Sequence, residues 1–187
     1  MTTHALRSVY QFKVTLHHVQ PPIWRRFQVA STDTLEDLHL VLQIVIGWTD
    51  SHLHEFSRQG DRYGIPDEEF PSDVKDEMDF RLEQVLKKVG DKLHYVYDFG
   101  DGWEHEVLLE KILPFDTTAI LPVCLDGERA CPMEDVGGPP GYENFLEAIK
   151  DSSHPEHEEL LEWSGGDFDS DHFDLAQTND LLREYCD

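Results

Sequence analysis

Tyr10, Phe12, Val14 and Leu16 fall on every second position of residues 9–16, which predicts a strand with one apolar and one polar face. His17-His-Val-Gln-Pro21-Pro22 interrupts the pattern, and Ile23, Arg25, Phe27 and Val29 then alternate against Trp24, Arg26 and Gln28. Two such strands across a short proline-containing loop predict a hairpin. The period then lengthens. Leu35, Leu38, Leu42, Val45 and Ile46 form one stripe at helical spacing, with capping-box chemistry at Thr34-x-x-Asp37 and a helix-ending Gly47. Residues 52–58 predict a third strand. The order strand, strand, helix, strand lays a helix across one sheet face, a β-grasp-like start.

Residues 59–80 read as an acidic surface loop, and Leu82, Val85, Leu86 and Val89 as a short helix. Residues 92–99 and 103–113 predict strands on either side of Gly100-Asp-Gly102, a hairpin signal because glycine accepts positive φ. Residues 114–140 contain five prolines and read as loop-rich, and residues 142–149, 155–163 and 175–185 predict three helices. Gly137-Gly-Pro-Pro-Gly141 lacks the lysine of a phosphate loop and reads as a rigid lead-in to the first of them. The expected fold is α+β: a mixed sheet of about five strands, crossed by the helix over 34–46, with a helical acidic C-terminal part. One domain is expected over 1–187, with its core in 8–113, the loop-rich stretch in 114–140 and the helical part in 141–187.

Charge changes this picture in its second half. The chain has 187 residues, 39 acidic and 15 basic, and a formal net charge of -24. Residues 1–60 hold five of each sign, whereas residues 114–187 hold 19 acidic against 3 basic residues. A polyanion repels phosphate backbones, so nucleic acid is disfavoured as a partner, and a basic protein or a cation is the sharper alternative to plain solubility. Crowded carboxylates raise one another's pKa, so charge alone predicts stability that rises as pH falls from neutral towards about 5, and that rises with salt. Ten Phe, six Tyr and four Trp exclude a disordered acidic chain. No apolar run approaches the roughly 20 residues of a membrane helix. The first residues carry no apolar secretory stretch, and three cysteines make no disulfide framework, so a cytoplasmic location is expected.

Candidate chemistry concentrates in Tyr95-Val-Tyr-Asp-Phe-Gly-Asp-Gly-Trp-Glu-His105. Asp98, Asp101 and His105 offer metal donors, although Asp101 is equally a turn former and Asp98 a partner for nearby backbone N–H groups. His52-x-His54 places two imidazoles on one strand face, either for a metal or lining the core edge beside Phe56. Cys124, Cys131, His154 and His157 would supply four zinc ligands, or the cysteines are two buried thiols. Cys186 reads as an exposed thiol. No Gly-x-Ser-x-Gly occurs, and no enzyme signature stands out.

Four stretches, Pro22-Ile-Trp-Arg-Arg-Phe27, Gly47-Trp-Thr-Asp-Ser-His-Leu-His-Glu-Phe56, Tyr95 to His105 and Cys131-Pro-Met-Glu-Asp-Val-Gly-Gly-Pro-Pro-Gly-Tyr142, resemble the Ri-plasmid ORF-three-like family over roughly residues 8–185. The resemblance implies an α+β domain of an intracellular bacterial or archaeal protein, without an established activity. Many relatives have a third cysteine where this chain has Val136, and often proline at Met133, so a three-cysteine metal site would be incomplete here. Some relatives carry a transposon-resolvase label. Against DNA recombination, Arg25 and Arg26 are neighbours on a strand and point to opposite faces. The function expected is a non-enzymatic module binding a protein or small ligand, through the His52/His54 strand and the 98–105 hairpin, with Trp48 and Trp103 as aromatic anchors. Its first rival is a metal-assisted hydrolase using a divalent ion held by His52, His54, Asp98, Asp101 and His105.

Overall fold

The first hairpin forms where alternation places it. β1 (Ser8–Leu16) and β2 (Ile23–Ala30) pair antiparallel from Leu16↔Ile23 to Val9↔Ala30, and Phe12, Val14, Ile23 and Phe27 are wholly buried. The structure, a computed structural model, describes residues 7–67, 69 and 72–186. α1 (Leu35–Ile46) carries the expected capping box. The Thr34 hydroxyl accepts from the Asp37 N–H at 3.1 Å, and the Asp37 carboxylate accepts from the Thr34 N–H at 2.8 Å. Gly47, at φ 114, ends the helix.

The remaining strands are β3 (His54–Arg58), β4 (Asp61–Gly64), β5 (Lys75–Asp76), β6 (Lys92–Tyr97), β7 (Trp103–Pro114) and β8 (Val123–Glu128). Together they make one eight-stranded sheet in the order β5-β4-β3-β6-β7-β1-β2-β8. It is mixed, because β4 and β5 run parallel while the other neighbours are antiparallel. β6 and β7 lie between β1 and β3, so the strand after α1 pairs with β4 and β6 rather than with the opening hairpin. The helices are α1, the single turn α2 (Leu82–Val85), α3 (Gly138–Lys150), α4 (His157–Trp163) and α5 (Leu175–Tyr185). The fold is α+β. Among the described residues no helix is long and apolar enough to cross a membrane.

Three strands correct the expectation of about five. β4 and β5 arise in 59–80, where the only deeply buried apolar side chain they contribute is Tyr63. β8 arises in the loop-rich stretch and buries Cys124 alone among its apolar side chains; the Asn179 side chain of α5 holds that residue by accepting from its N–H and donating to its C=O. Such strands are held by distant partners, which a local pattern does not encode. α3 begins four residues before the expected helix because prolines 139 and 140 sit in its first turn, where no N–H partner is required.

Candidate functional site

The site begins at the turn between β6 and β7. Asp98 takes the left-handed conformation, φ 56, and its Oδ1 accepts from the N–H groups of Gly100 at 2.9 Å and Asp101 at 3.3 Å. That is the turn-forming role. It leaves Oδ2 pointing the other way, 3.6 Å from His52 Nε2. His52 lies in the irregular link before β3, outside the strand. The link between β8 and α3 then adds Glu134 Oε2 at 3.6 Å and Asp135 Oδ1 at 3.1 Å from the same nitrogen. Asp135 is also left-handed, at φ 59. Two non-glycine residues in this region beside one imidazole mark a locally constrained site.

Glu134 is held firmly on one side. Its Oε1 accepts from the Thr49 N–H at 2.9 Å, the Thr49 hydroxyl at 3.1 Å and the Tyr97 hydroxyl at 3.1 Å. Burial, with Glu134 adding to it, keeps the Tyr97 phenol protonated well above its ordinary range. Oε2 of Glu134 and Nε2 of His52 are both buried and make no hydrogen bond. Among the described residues, every ion pair made by Asp98, Glu134 and Asp135 is with His52, and no lysine or arginine joins them. Ligand atoms of His52, Asp98 and Asp135 lie within 4.8 Å of one another, and Glu134 Oε2 approaches the same imidazole from beside that group. With two buried polar atoms left over, a divalent cation would satisfy the arrangement.

Backbone contacts fix the two halves of the pocket against each other. The Gly137 N–H donates to Asp101 Oδ2 at 3.1 Å. At Gly138, φ 68, an added Cβ would lie 2.3 Å from the carbonyl oxygen of Asp101. Gly138→Ala is thus expected to cost about 2 kcal/mol or more, from the left-handed backbone alone roughly 1–2 and from the forced separation the rest. Chemical denaturation measures it; an unchanged midpoint would show that the turn and the link do not need this approach.

Most of the other proposed site residues lie elsewhere. His54 is buried inside a separate network. Its Nε2 contacts both Glu77 oxygens, at 2.8 and 3.0 Å, and its ring stacks on His39 at 3.4 Å. His39 in turn contacts the Tyr95 hydroxyl at 2.8 Å and Asp50 at 2.9 Å. His39, Asp50 and His54 are close enough to share an ion, but these contacts already occupy both His39 nitrogens and the His54 Nε2. His52 and His54 do not share a strand face, because only His54 is in the strand. His105 is wholly buried and pushed down to about 4 by that burial, so it is a neutral core histidine that accepts from Trp48 Nε1 and faces the Tyr95 carbonyl. Trp48 and Trp103, 5% and 0% exposed, pack on each other inside the core and are no surface anchors.

The zinc set also disperses. Among the described residues, the groups of metal-ligating atoms within 4.8 Å of one another include none of Cys124, Cys131, His154 and His157. Burial pushes Cys124 up to about 11 and Cys131 well above its usual value, so both are neutral thiols within the fold. His157 Nδ1 faces the Ala148 carbonyl at 2.8 Å, tying α4 to α3. Cys186 is half-buried rather than exposed.

The model of a family described as plasmid pRiA4b ORF-3-like protein matches residues 8–177. An uncharacterised protein, y4hQ of Sinorhizobium fredii, is 44% identical over 179 residues, covering 95% of this chain and 92% of its own. A crystal structure of a protein of unknown function, MM3350 from Methanosarcina mazei Go1, superposes with a TM-score of 0.83 at 39% identity, covering 92% of this chain and 98% of its own.

Proposed function

The chain belongs to the plasmid pRiA4b ORF-3-like protein family, and we propose that it is a non-enzymatic binding module whose site is completed by a divalent cation. The observation that carries this reading is the pair of buried atoms, His52 Nε2 and Glu134 Oε2, that face each other at 3.6 Å without a hydrogen bond. The His52 nitrogen and the Asp98 and Asp135 carboxylates, with Glu134 as a third carboxylate beside the imidazole, form an oxygen-rich donor set suited to Mn2+ or Mg2+. Asp135, with a side chain 74% exposed, leaves one flank open, where a protein or small ligand with an oxygen donor would reach the ion. The cation bridges the sheet end, through His52 and Asp98, to the link that leads into α3.

Titration with Mn2+ tests it. Wild-type protein is expected to take up one equivalent at this site and to gain about 2.7 kcal/mol of stability at a hundredfold excess over Kd. Glu134→Gln and His52→Ala should each remove that gain; wild-type protein that neither binds Mn2+ nor is stabilised by it would sink the reading. The hydrolase alternative draws on the same open flank. It would be favoured by turnover of loaded protein on a hydrolase panel that Glu134→Gln abolishes. For DNA recombination the structure offers less support. The Arg25 guanidinium is engaged by carbonyl groups and Arg26 by Glu110, at 2.7 and 3.0 Å, so neither is poised for a phosphate.

A further inference from the structure

On the face of the sheet opposite α1, we propose a second and chemically different metal site, for a borderline transition-metal ion such as Zn2+. It is built from His17, His18 and Glu104, with His94 as the fourth donor. It stands independently of the His52 pocket and shares no residue with it.

His17 and His18 occupy the turn that joins β1 to β2, and His18 is left-handed at φ 62. The His17 N–H donates to the Glu104 carbonyl at 2.8 Å, which carries the β1–β7 ladder one residue past its last pair and fixes the turn over β7. The Glu104 side chain then meets two imidazoles at a single oxygen: Oε2 is 3.3 Å from His94 Nε2 and 3.6 Å from His18 Nε2. The third ring closes the group. His17 lies 5.9 Å from the His18 ring and 6.5 Å from the His94 ring, centroid to centroid. Ligand atoms of His17, His18 and Glu104 all lie within 4.8 Å of one another. His94 stands outside that group, meeting it at Glu104 Oε2, so it joins as fourth donor by a turn of its half-exposed side chain.

Two of these separations already match the chemistry of the ion. Tetrahedral zinc with bonds of about 2.0–2.1 Å holds its ligand atoms about 3.3–3.4 Å apart. The two observed nitrogen–oxygen distances, 3.3 and 3.6 Å, are at that spacing. The side chains of His18, Glu104 and His94 are 63%, 42% and 41% exposed, so an ion enters from solvent without opening the fold. Donor type separates the two sites. Three imidazoles with one carboxylate suit Zn2+, Ni2+ or Cu2+, whereas the His52 pocket, with one imidazole and three carboxylates, suits harder ions.

Equilibrium dialysis against Zn2+, with Co2+ as a spectroscopic probe, tests the assignment on wild-type protein, the double variant His18→Ala/His94→Ala, and His52→Ala. All three substituted histidines lie outside the apolar core, and circular dichroism confirms folding. His52→Ala is expected to retain a Zn2+ site and to give the intense visible absorption of tetrahedral Co2+. The double variant should lose that absorption and bind Zn2+ at this site at least about tenfold more weakly. If the double variant retains all the Zn2+ and the Co2+ spectrum of wild-type protein, the proposal is wrong. It is equally wrong if His52→Ala abolishes both, because the ion then belongs to the other pocket. Wild-type protein that gives the Co2+ spectrum but neither binds Mn2+ nor is stabilised by it would remove the cation reading of the His52 pocket and leave this site standing.

Discussion

Replacing Arg25 with alanine is expected to destabilise the fold by about 3–5 kcal/mol, the scale of removing one partner from a buried charged network. Arg25 is 1% exposed, at the third position of β2, with its head under the end of α1. Its Nε donates to the Val45 carbonyl at 2.7 Å, and one terminal nitrogen also reaches that of Ile46 at 3.4 Å. These are carbonyls of the last turn of α1, which lack partners along the helix and lie at the negative end of its dipole. α1 has no basic residue of its own in that turn, so a strand supplies the cation. The same guanidinium bonds the carbonyls of Glu128 and Arg129 at 2.7 Å each, and that of Trp24 at 2.8 Å. The Phe173 ring covers it at 3.9 Å. Burial lowers its pKa to about 10, which still leaves it charged at neutral pH. Alanine would strand several buried acceptors at once, each costing about 1–3 kcal/mol if water does not reach it. Lysine should rescue little, because one ammonium cannot span the fork. Thermal unfolding reads the effect as a drop of roughly 8–15 °C for a domain of this size. A drop below about 2 °C would mean that water replaces the guanidinium, and that β8 and α1 are not joined through it.

Arg25 also marks the boundary of what could be read from the chain alone. Alternation placed it on the core-facing side of β2, opposite Arg26, and that is where it lies. Periodicity of this kind carries α1 with both its caps, the two long hairpins and the three C-terminal helices, because each is specified by neighbours within a few residues. β4, β5 and β8 are not: they are short, and distant partners complete them. The site divides along the same line. His52 and Asp98 were legible as donors, but nothing local separates Glu134 and Asp135 from the other carboxylates. They sit in the Cys131 to Tyr142 stretch, where adjacent acids before two glycines suggest a constrained link. Burial was the harder question. Trp103 and His105 share their face of β7 with the buried Val107 and Leu109, and that parity was the available signal that both belong to the core. His17, His18, His94 and Glu104 come from a turn and two strands, and only the registers of β1 and β6 on β7 bring them together.

Acidification is expected to weaken the fold, against what its charge arithmetic suggests. Burial is the main reason that the His105 pKa is lowered to about 4, with nearby His17 and His94 acting in the same direction. In the unfolded chain its pKa is about 6.5. Between those values the unfolded chain takes up the proton and the folded one does not, so the contribution is complete above about pH 6.5 and disappears as pH falls through about 4. The loss amounts to about 2 kcal/mol at pH 5 and about 3 kcal/mol at pH 4. His39 acts in the same direction, because burial and the stacked His54 lower its pKa as well. Repulsion among the carboxylates of residues 114–187 would give the opposite slope. Asp116 and Asp151, however, are held below the usual carboxylate range by bonds to Thr118 and Ser153, so their protonation also costs stability, at lower pH. Exposed charges are screened over about 8 Å at physiological salt, whereas a wholly buried imidazole is not. The urea midpoint should therefore fall from pH 7 to 4 in 0.15 M salt. In His105→Gln, whatever its own stability, the slope should flatten by about 2 kcal/mol between pH 7 and 5. A midpoint that rises over that interval in wild-type protein would mean that carboxylate repulsion outweighs the buried histidines.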